Sequence, residues 1–279
     1  MIIKGEKVIN CMEKFANIWR KNDSMVCVGL DPDLGKLPEC VKGAEYPIFE
    51  FNKAIIDATA PYVCAYKPQA AYYAGQDCDD ELAMTIDYIL KNYPEIPVIL
   101  DVKRGDIGST AEQYAKEAFD RYHADAVTVN PYMGSDAINP FLKYADKGVV
   151  VLCRTSNPGS KELQELVTTE GKKLYEHVAL LARDVWNKDG NVMMVLGATF
   201  PEELKAVREL CPDMPFLVPG VGAQGGDVEK VVSYGRRADG YGLIVNSSRG
   251  IIYASKGDDF AAAAGEAAKL LRDQMRAVK

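Results

Sequence analysis

A short apolar run in the middle of the chain ends in charged residues. Val98, Ile99 and Leu100 are typical of a buried strand, and Asp101 and Lys103 come next. Side chains two residues apart on a strand share a face, so the Asp101 carboxylate and the Lys103 ammonium are predicted to point the same way. An acid beside a lysine where a strand ends is typical of the catalytic groups of α/β barrels.

A second acid lies on the loop that follows this strand. Gly105 and Gly108 end the strand and leave Asp106 between them, while Ser109 and Glu112 form the pattern of a capping box that opens the next helix. The lysine is therefore predicted to lie between two carboxylates, as a positioned proton donor would. The alternative is a surface salt bridge that happens to lie at a strand end. Burial of three charges is costly unless they pair, which favours the catalytic interpretation.

Composition argues against several classes of function. The chain has 279 residues, of which 48% are hydrophobic and 26% are charged, as in an ordinary globular protein. The formal net charge of −7 argues against binding to nucleic acid or to a membrane surface. An anionic ligand would therefore need a local cluster of lysine, arginine and backbone amide groups.

The cysteine and histidine content predicts neither disulfides nor a metal site. Seven cysteines are an odd number with no close pairing, which predicts free thiols in a reducing compartment. The two histidines, His123 and His177, do not combine with cysteines at zinc-binding spacing. The N-terminus has no apolar signal core, and no apolar run approaches membrane-spanning length. We expect a cytoplasmic protein without a metal.

Short apolar runs recur along the chain with helical patterns between them. Near-continuous hydrophobic strands that alternate with helices predict a parallel sheet buried on both faces. Their number and spacing predict an α/β fold, a single (β/α)₈ TIM barrel domain spanning residues 1–279. A doubly wound open sheet is the alternative. The predicted strands are Met25–Leu30, Tyr62–Lys67, Val98–Val102, Ala126–Asn130, Val149–Cys153, Val192–Gly197, Phe216–Pro219 and Gly242–Asn246.

Helical patterns fill the intervals between these strands. Val8–Lys21 precedes the first strand and is predicted to cover the bottom of the barrel. Pro201 lies in a first-turn position, where proline is favoured, and Glu202 and Glu203 complement the helix dipole. The other predicted helices are Pro47–Tyr62, Glu81–Asn92, Ser109–Tyr122, Ser135–Tyr144, Lys161–Lys188 with a break near Gly171, and Ala261–Ala277.

Charged residues end the first two predicted strands. Asp31 is placed to accept hydrogen bonds from sugar hydroxyl groups, and an Asx-turn before Pro32 explains the same residue equally well. Lys67 ends the second strand next to Pro68. Taken alone, Lys67 is also explained as a surface lysine whose ammonium reaches solvent.

The loops after the last two strands are rich in glycine. Residues 219–226 and 246–250 follow strands seven and eight, where barrels of this kind bind phosphate through backbone amides. Arg249 can bind the same anion through two parallel hydrogen bonds. The alternative is a pair of ordinary turns with an exposed arginine.

Together these elements resemble the orotidine 5′-phosphate decarboxylase family. The residues Asp101-x-Lys103-x-x-Asp106 match its signature, and the Gly-Asp-Ile-Gly-Ser-Thr segment at 105–110 resembles a longer bacterial branch of the family. Lys67-Pro68 and the Ser-x-Pro-Gly segment at 156–159 are similar to two further elements of the family. The signature alone is shared with sugar-phosphate enzymes, so the resemblance depends on several elements in order over nearly the whole chain.

The resemblance implies a role for each matching residue. Asp101, Lys103, Asp106 and Lys67 would form a catalytic charge network, in which Lys103 protonates a carbanion at C6 of the pyrimidine. A turn of serine and asparagine ahead of Pro-Gly explains Ser156 nearly as well as a role in binding the pyrimidine. The substrate contacts implied are Asp31 with ribose, Ser156 with the pyrimidine ring, Pro219 closing over the base, and Gln224, Ser248 and Arg249 with phosphate.

The implied reaction converts orotidine monophosphate into UMP and CO₂ in pyrimidine synthesis, with no metal and no cofactor. The resemblance also implies a homodimer, in which Asp106 and Thr110 reach into the partner's site. One alternative is a metal-dependent sugar-phosphate decarboxylase or aldolase of the same suprafamily, against which Lys67 counts because it repels a cation. The other is a non-catalytic phosphate-binding barrel. The intact set of acid, lysine and acid counts against it, because phosphate binding alone does not need these residues.

Overall fold

The computed structural model describes residues 9–221 and 227–278, and its strands form one eight-stranded sheet. The strands are buried on both faces of the sheet, one towards the barrel interior and the other against the surrounding helices. Burial on both faces is typical of parallel sheets. The strands are β1 Val26–Leu30, β2 Ala65–Pro68, β3 Ile99–Arg104, β4 Ala126–Val129, β5 Gly148–Arg154, β6 Val192–Leu196, β7 Phe216–Pro219 and β8 Leu243–Ser247.

The sheet is a nearly closed barrel. Its strand order is β2-β1-β8-β7-β6-β5-β4-β3, and each neighbouring pair is parallel. The two end strands are joined by isolated parallel bridges between Tyr66 and Val98 and between Gln69 and Asp101. The predicted (β/α)₈ barrel is therefore confirmed, and the open doubly wound sheet is wrong.

Helices cover the outside of the barrel. No helix in the two described ranges is long and apolar enough to cross a membrane. The helices are α1 Cys11–Asn22, α2 Glu39–Lys42, α3 Pro47–Thr59, α4 Ala70–Ala74, α5 Asp79–Asn92, α6 Gly108–Lys116, α7 Ser135–Leu142, α8 Lys161–Gln164, α9 Leu174–Leu181, α10 Pro201–Leu210, α11 Val228–Gly235, α12 Arg249–Ile252 and α13 Phe260–Ala277.

The first helix covers the bottom of the barrel, as predicted. Asn10 and Glu13 form a capping box at its start, which satisfies amide groups that the first turn leaves free. Trp19 Nε1 donates to the carbonyl of Leu243 at 2.9 Å, where β8 begins. Lys14 Nζ lies 2.7 Å from Asp125, just before β4. The predicted start at Val8 lies outside the described residues.

Several predicted boundaries are wrong. The second strand begins at Ala65 instead of Tyr62, because residues 60–62 form a 3₁₀ turn that contains Pro61. The predicted break of the 161–188 pattern near Gly171 is confirmed, and it is wider than a kink, because a bridge between Val167 and Lys173 separates α8 from α9. Helices α2, α4, α11 and α12 were not predicted from the sequence.

The predicted capping box at Ser109 is wrong. Helix α6 begins one residue earlier, at Gly108, so the N-cap position is Ile107, which has no capping side chain. Ser109 therefore lies inside the first turn. The Glu112 carboxylate instead accepts a hydrogen bond from Lys143 Nζ at 2.6 Å.

Candidate active site

The carboxyl ends of the strands surround a cavity of about 720 Å³. This volume lies within the usual range for small-molecule sites. The cavity brings together residues that lie far apart in the sequence. Among the residues predicted for the site, it is lined by Asp31, Lys67, Asp101, Lys103, Ser156, Pro219, Ser248 and Arg249.

Two lysines share one buried carboxylate in this cavity. Asp101 Oδ2 accepts a hydrogen bond from Lys67 Nζ at 2.9 Å, and Asp101 Oδ1 accepts one from Lys103 Nζ at 2.6 Å. Asp31 Oδ1 lies 3.8 Å from Lys67 Nζ. Lys67 is only 4% exposed and Asp101 5%. The interpretation of Lys67 as a surface lysine is therefore wrong.

These contacts keep the network charged despite its burial. Burial raises the pKa of the Asp101 carboxyl, but Lys67 and Lys103 outweigh it and hold that pKa well below its usual range. Burial lowers the pKa of the Lys67 ammonium, but Asp101 and Asp31 outweigh it and hold that pKa above its usual value. At neutral pH the carboxylate of Asp101 and the ammonium of Lys67 are both ionised.

Lys103 reaches the cavity from a distorted part of β3. The register between β3 and β4 shifts between Leu100 and Arg104, and the φ angle of Lys103 is +47°. The Lys103 side chain is 45% exposed, unlike its partner Asp101. Arg104 leaves the cavity and pairs with Glu117 at 2.8 Å. The prediction that Asp101 and Lys103 share a face is confirmed.

Asp106 and Thr110 do not line the cavity within a single chain. Asp106 Oδ1 accepts a hydrogen bond from the backbone N–H of Ile107 at 2.8 Å, and Thr110 is exposed on α6. Across the part of the chain that the structure describes, no contact joins Asp106 to Lys103. Lys103 was predicted to lie between two carboxylates, and within one chain it contacts only that of Asp101 among the described residues.

One carboxylate oxygen of Asp31 lies near the Lys67 ammonium but accepts no hydrogen bond from the described residues. This atom, Oδ1, is buried. The Asx-turn interpretation is wrong, because the N–H of Asp33 donates to the Tyr253 hydroxyl at 2.7 Å instead. Asp31 also lines the cavity, so its carboxylate is placed to accept a hydrogen bond from a ligand hydroxyl group.

Ser156 reaches the cavity on the loop after β5. Thr199 Oγ1 donates to the carbonyl of Ser156 at 3.0 Å. Gly197 permits this approach, since a Cβ at that position would lie 2.7 Å from the Ser156 backbone nitrogen. The loops after β5 and β6 are therefore packed against each other at the edge of the cavity.

A buried arginine organises the same loop. The guanidinium carbon of Arg154 lies 3.7 Å from the centroid of the Phe200 ring. Its Nη1 atom donates to Ser160, and its Nη2 atom donates to Glu165 at 2.7 Å. Arg154 was not among the predicted site residues, although a charged residue at the end of an apolar strand can be recognised in the sequence.

The loop after β8 lies close to β1. A Cβ at Gly29 would lie 1.9 Å from Ser248 Oγ, so only glycine accommodates this approach. Arg249 follows at the start of α12, is exposed, and makes no ion pair within residues 9–221 and 227–278. Gln224, the other predicted phosphate ligand, lies outside the described residues.

Sequence reasoning also missed part of the cavity lining. Leu152, Val195 and Leu217 contribute an apolar wall. Apolar residues at the top of a barrel cannot be told from core residues by pattern alone. Thr128 and Asn246 also line the cavity. Thr128 could have been recognised from the sequence, because it is a polar residue within the apolar run Ala-Val-Thr-Val.

The charged side chains of the cavity form ion pairs with each other and do not form a metal site among the described residues. Within residues 9–221 and 227–278, no group of three or more His, Cys, Asp or Glu side chains could hold a metal ion. Asp31 and Asp101, the carboxylates of the cavity, both lie close to the Lys67 ammonium. That ammonium would repel a divalent cation from these oxygens.

Fold and cavity together define a (β/α)₈ barrel with a lysine–carboxylate site at the carboxyl ends of its strands. A family model described as the orotidine 5′-phosphate decarboxylase / HUMPS family matches residues 24–264. The chain belongs to this family.

Known proteins are similar to this chain over almost its entire length. The orotidine 5′-phosphate decarboxylase of Ralstonia pickettii is 58% identical over 263 residues, which cover 94% of this chain and 97% of that protein. That of Cellvibrio japonicus is 56% identical over 270 residues, covering 96% and 98%. The structure of Leishmania donovani OMP decarboxylase superimposes with a TM-score of 0.82 at 39% identity, covering 96% of this chain and 98% of that one.

Proposed function

We propose that this chain decarboxylates orotidine 5′-monophosphate to UMP and CO₂ without a metal or an organic cofactor. The relatives named as orotidine 5′-phosphate decarboxylases support the substrate and the reaction. The observation that carries the proposal is the Asp101 carboxylate shared by Lys67 and Lys103 in the same cavity as Arg249.

Loss of CO₂ leaves an anion at a ring carbon, which the free nucleotide stabilises poorly. The Lys103 ammonium is a fixed positive charge that can stabilise this anion as it forms and then deliver a proton to it. Lys103 makes its 2.6 Å contact with Asp101, has 45% of its side chain exposed and lines the cavity, so we propose that its ammonium also faces the ligand. Asp101 holds the ammonium in place, and Lys67 in turn binds the other oxygen of the Asp101 carboxylate.

The other ends of the substrate have matching partners in the cavity. Arg249 and the backbone near Ser248 are proposed to bind the phosphate, with Gln224, which follows β7 in the sequence. Asp31 is proposed to accept from the ribose hydroxyls, and Ser156 and Pro219 to contact the pyrimidine. Binding of the remote phosphate can supply free energy that closes the loops and removes water from the reacting carbon.

We further propose a homodimer in which Asp106 and Thr110 complete the partner's site. Large apolar side chains lie exposed beside Asp106 and after β4, where Asn130 approaches Gly105: Tyr132 is 77% exposed, Ile107 53% and Met133 46%. Exposed apolar patches at one face mark interaction surfaces. A second copy of this chain would cover them and bring Asp106 towards Lys103 of its partner.

The chain is proposed to act as one catalytic domain in the cytoplasm. All its cysteines are free thiols, which supports a reducing compartment.

The proposed reaction is tested by the loss of orotidine monophosphate absorbance in the presence of EDTA, with UMP identified as the product. Turnover that persists in chelator is the expected result. Loss of activity in EDTA that returns with a divalent cation would favour the metal-dependent alternative. Binding of UMP with no turnover would favour a non-catalytic phosphate-binding barrel.

A further inference from the structure

Thr128 on β4 contacts the site through every hydrogen-bonding position of its side chain. Its buried hydroxyl donates to Asp101 Oδ1 at 2.8 Å. The same oxygen accepts from the backbone N–H groups of Val102 at 3.0 Å and of Lys103 at 2.9 Å. A hydroxyl group has one donor and two acceptor positions, so all are used.

These contacts lie where β3 leaves the regular ladder. Leu100 pairs with Val127 and Arg104 pairs with Val129, so Thr128 lies opposite the extra residues between them. Backbone groups in such a bulge lose their ladder partners. Lys103 also adopts a φ of +47°, which residues with a Cβ rarely do. The Thr128 hydroxyl replaces the missing acceptor for both N–H groups.

We propose that Thr128 is a positioning residue that holds Lys103 for proton delivery. It fixes the Lys103 backbone through the bulge and fixes the Asp101 carboxylate to which the Lys103 ammonium is bound. This inference rests on the proposed function. Valine at this position would keep the shape of the side chain but leave the N–H groups of Val102 and Lys103 without this acceptor, whereas serine would keep every hydrogen bond.

The experiment compares Thr128→Val and Thr128→Ser with the wild type in kcat, in KM for orotidine monophosphate and in affinity for UMP. The expected result is a kcat about 10- to 100-fold lower in Thr128→Val, with KM and UMP affinity little changed. Thr128→Ser should restore most of the lost kcat. The matched control is Thr59→Val, which removes a buried hydroxyl bound to Ile55 and Tyr66, and should lower stability but not kcat.

Wild-type kcat in Thr128→Val would overturn the inference, as would equal losses in the valine and serine variants. A parallel loss of kcat and UMP affinity would indicate a purely structural role and would overturn it as well. If Thr128→Val does not fold, Thr128→Cys replaces it, because a thiol forms only weak hydrogen bonds. The same outcomes would then support or overturn the inference. Failure of the proposed function is distinguishable, because the wild-type protein itself would then consume no orotidine monophosphate.

Discussion

Lys103 Nζ lies 2.6 Å from Asp101 Oδ1, although the two residues differ sharply in exposure. The carboxylate is buried and also bound to a second ammonium, that of Lys67. The Lys103 ammonium is therefore held from the protein side and open towards the cavity.

Replacement of Lys103 by alanine removes the ammonium that faces the ligand. Lys103→Ala should fold and bind UMP but lose more than about 10³-fold in kcat, because both charge stabilisation and proton delivery disappear. The measurement is steady-state turnover together with UMP binding by calorimetry. Lys91→Ala, which removes an exposed ammonium paired with Asp87, is the control and should keep wild-type kcat. Decarboxylation at the wild-type rate by Lys103→Ala would remove Lys103 from its proposed role.

Replacement of Asp101 by asparagine leaves the buried Lys67 ammonium without its principal counter-charge. Asp101→Asn should lower the free energy of unfolding at pH 7 by about 3–5 kcal/mol, as for other broken buried pairs. Because the folded-state pKa of Asp101 is depressed, its stabilisation is complete above the unfolded-state pKa of about 4 and is lost as the pH falls below it. The stability difference between wild type and variant should therefore shrink between about pH 5 and pH 3.

This dependence is measured by urea unfolding at each pH. Asp87→Asn, which breaks an exposed pair with Lys91, is the control and should change stability little at any pH. A difference between wild type and Asp101→Asn that stays constant down to pH 3 would contradict the prediction.

A methyl group at Gly29 should disturb the loop proposed to bind phosphate. In Gly29→Ala the new Cβ would meet Ser248 Oγ at 1.9 Å and Ser248 Cβ at 2.9 Å, so the loop must shift. We expect KM for orotidine monophosphate to rise about tenfold or more, since small displacements of positioning groups are costly. Gly43→Ala, whose Cβ meets nothing within 4 Å, is the matched control. Equal KM values in the two variants would show that the Ser248 loop does not hold the substrate.

The proposed exchange of Asp106 between subunits predicts complementation. Lys103→Ala and Asp106→Ala are each expected to be nearly inactive as homodimers. A mixed dimer would contain one intact site, so co-refolding of equal amounts should recover about one quarter of wild-type activity. Lys103→Ala mixed with Asp101→Asn is the control, because both changes affect groups that act in the same chain's site. Absence of recovery in the first mixture would place Asp106 outside the partner's site.

The sequence by itself determined the barrel and most of the cavity. Buried parallel strands need continuous apolar runs, and these are visible without coordinates. Because the carboxyl ends of all strands meet at one face, residues such as Asp31, Lys67 and Arg249 could be placed near Lys103 from strand order alone.

Only the tertiary structure decided how the charges are held. The hydrogen bonds of Thr128 to Asp101 and Lys103 cross from one strand to the next, and a bulge alters the register that sequence spacing assumes. Within one chain Asp106 also makes no contact with Lys103, although only two residues lie between them in the sequence. Spacing along a strand predicts which of its side chains lie on the same face. Contacts between strands depend on their register, and packing of the whole barrel determines that register.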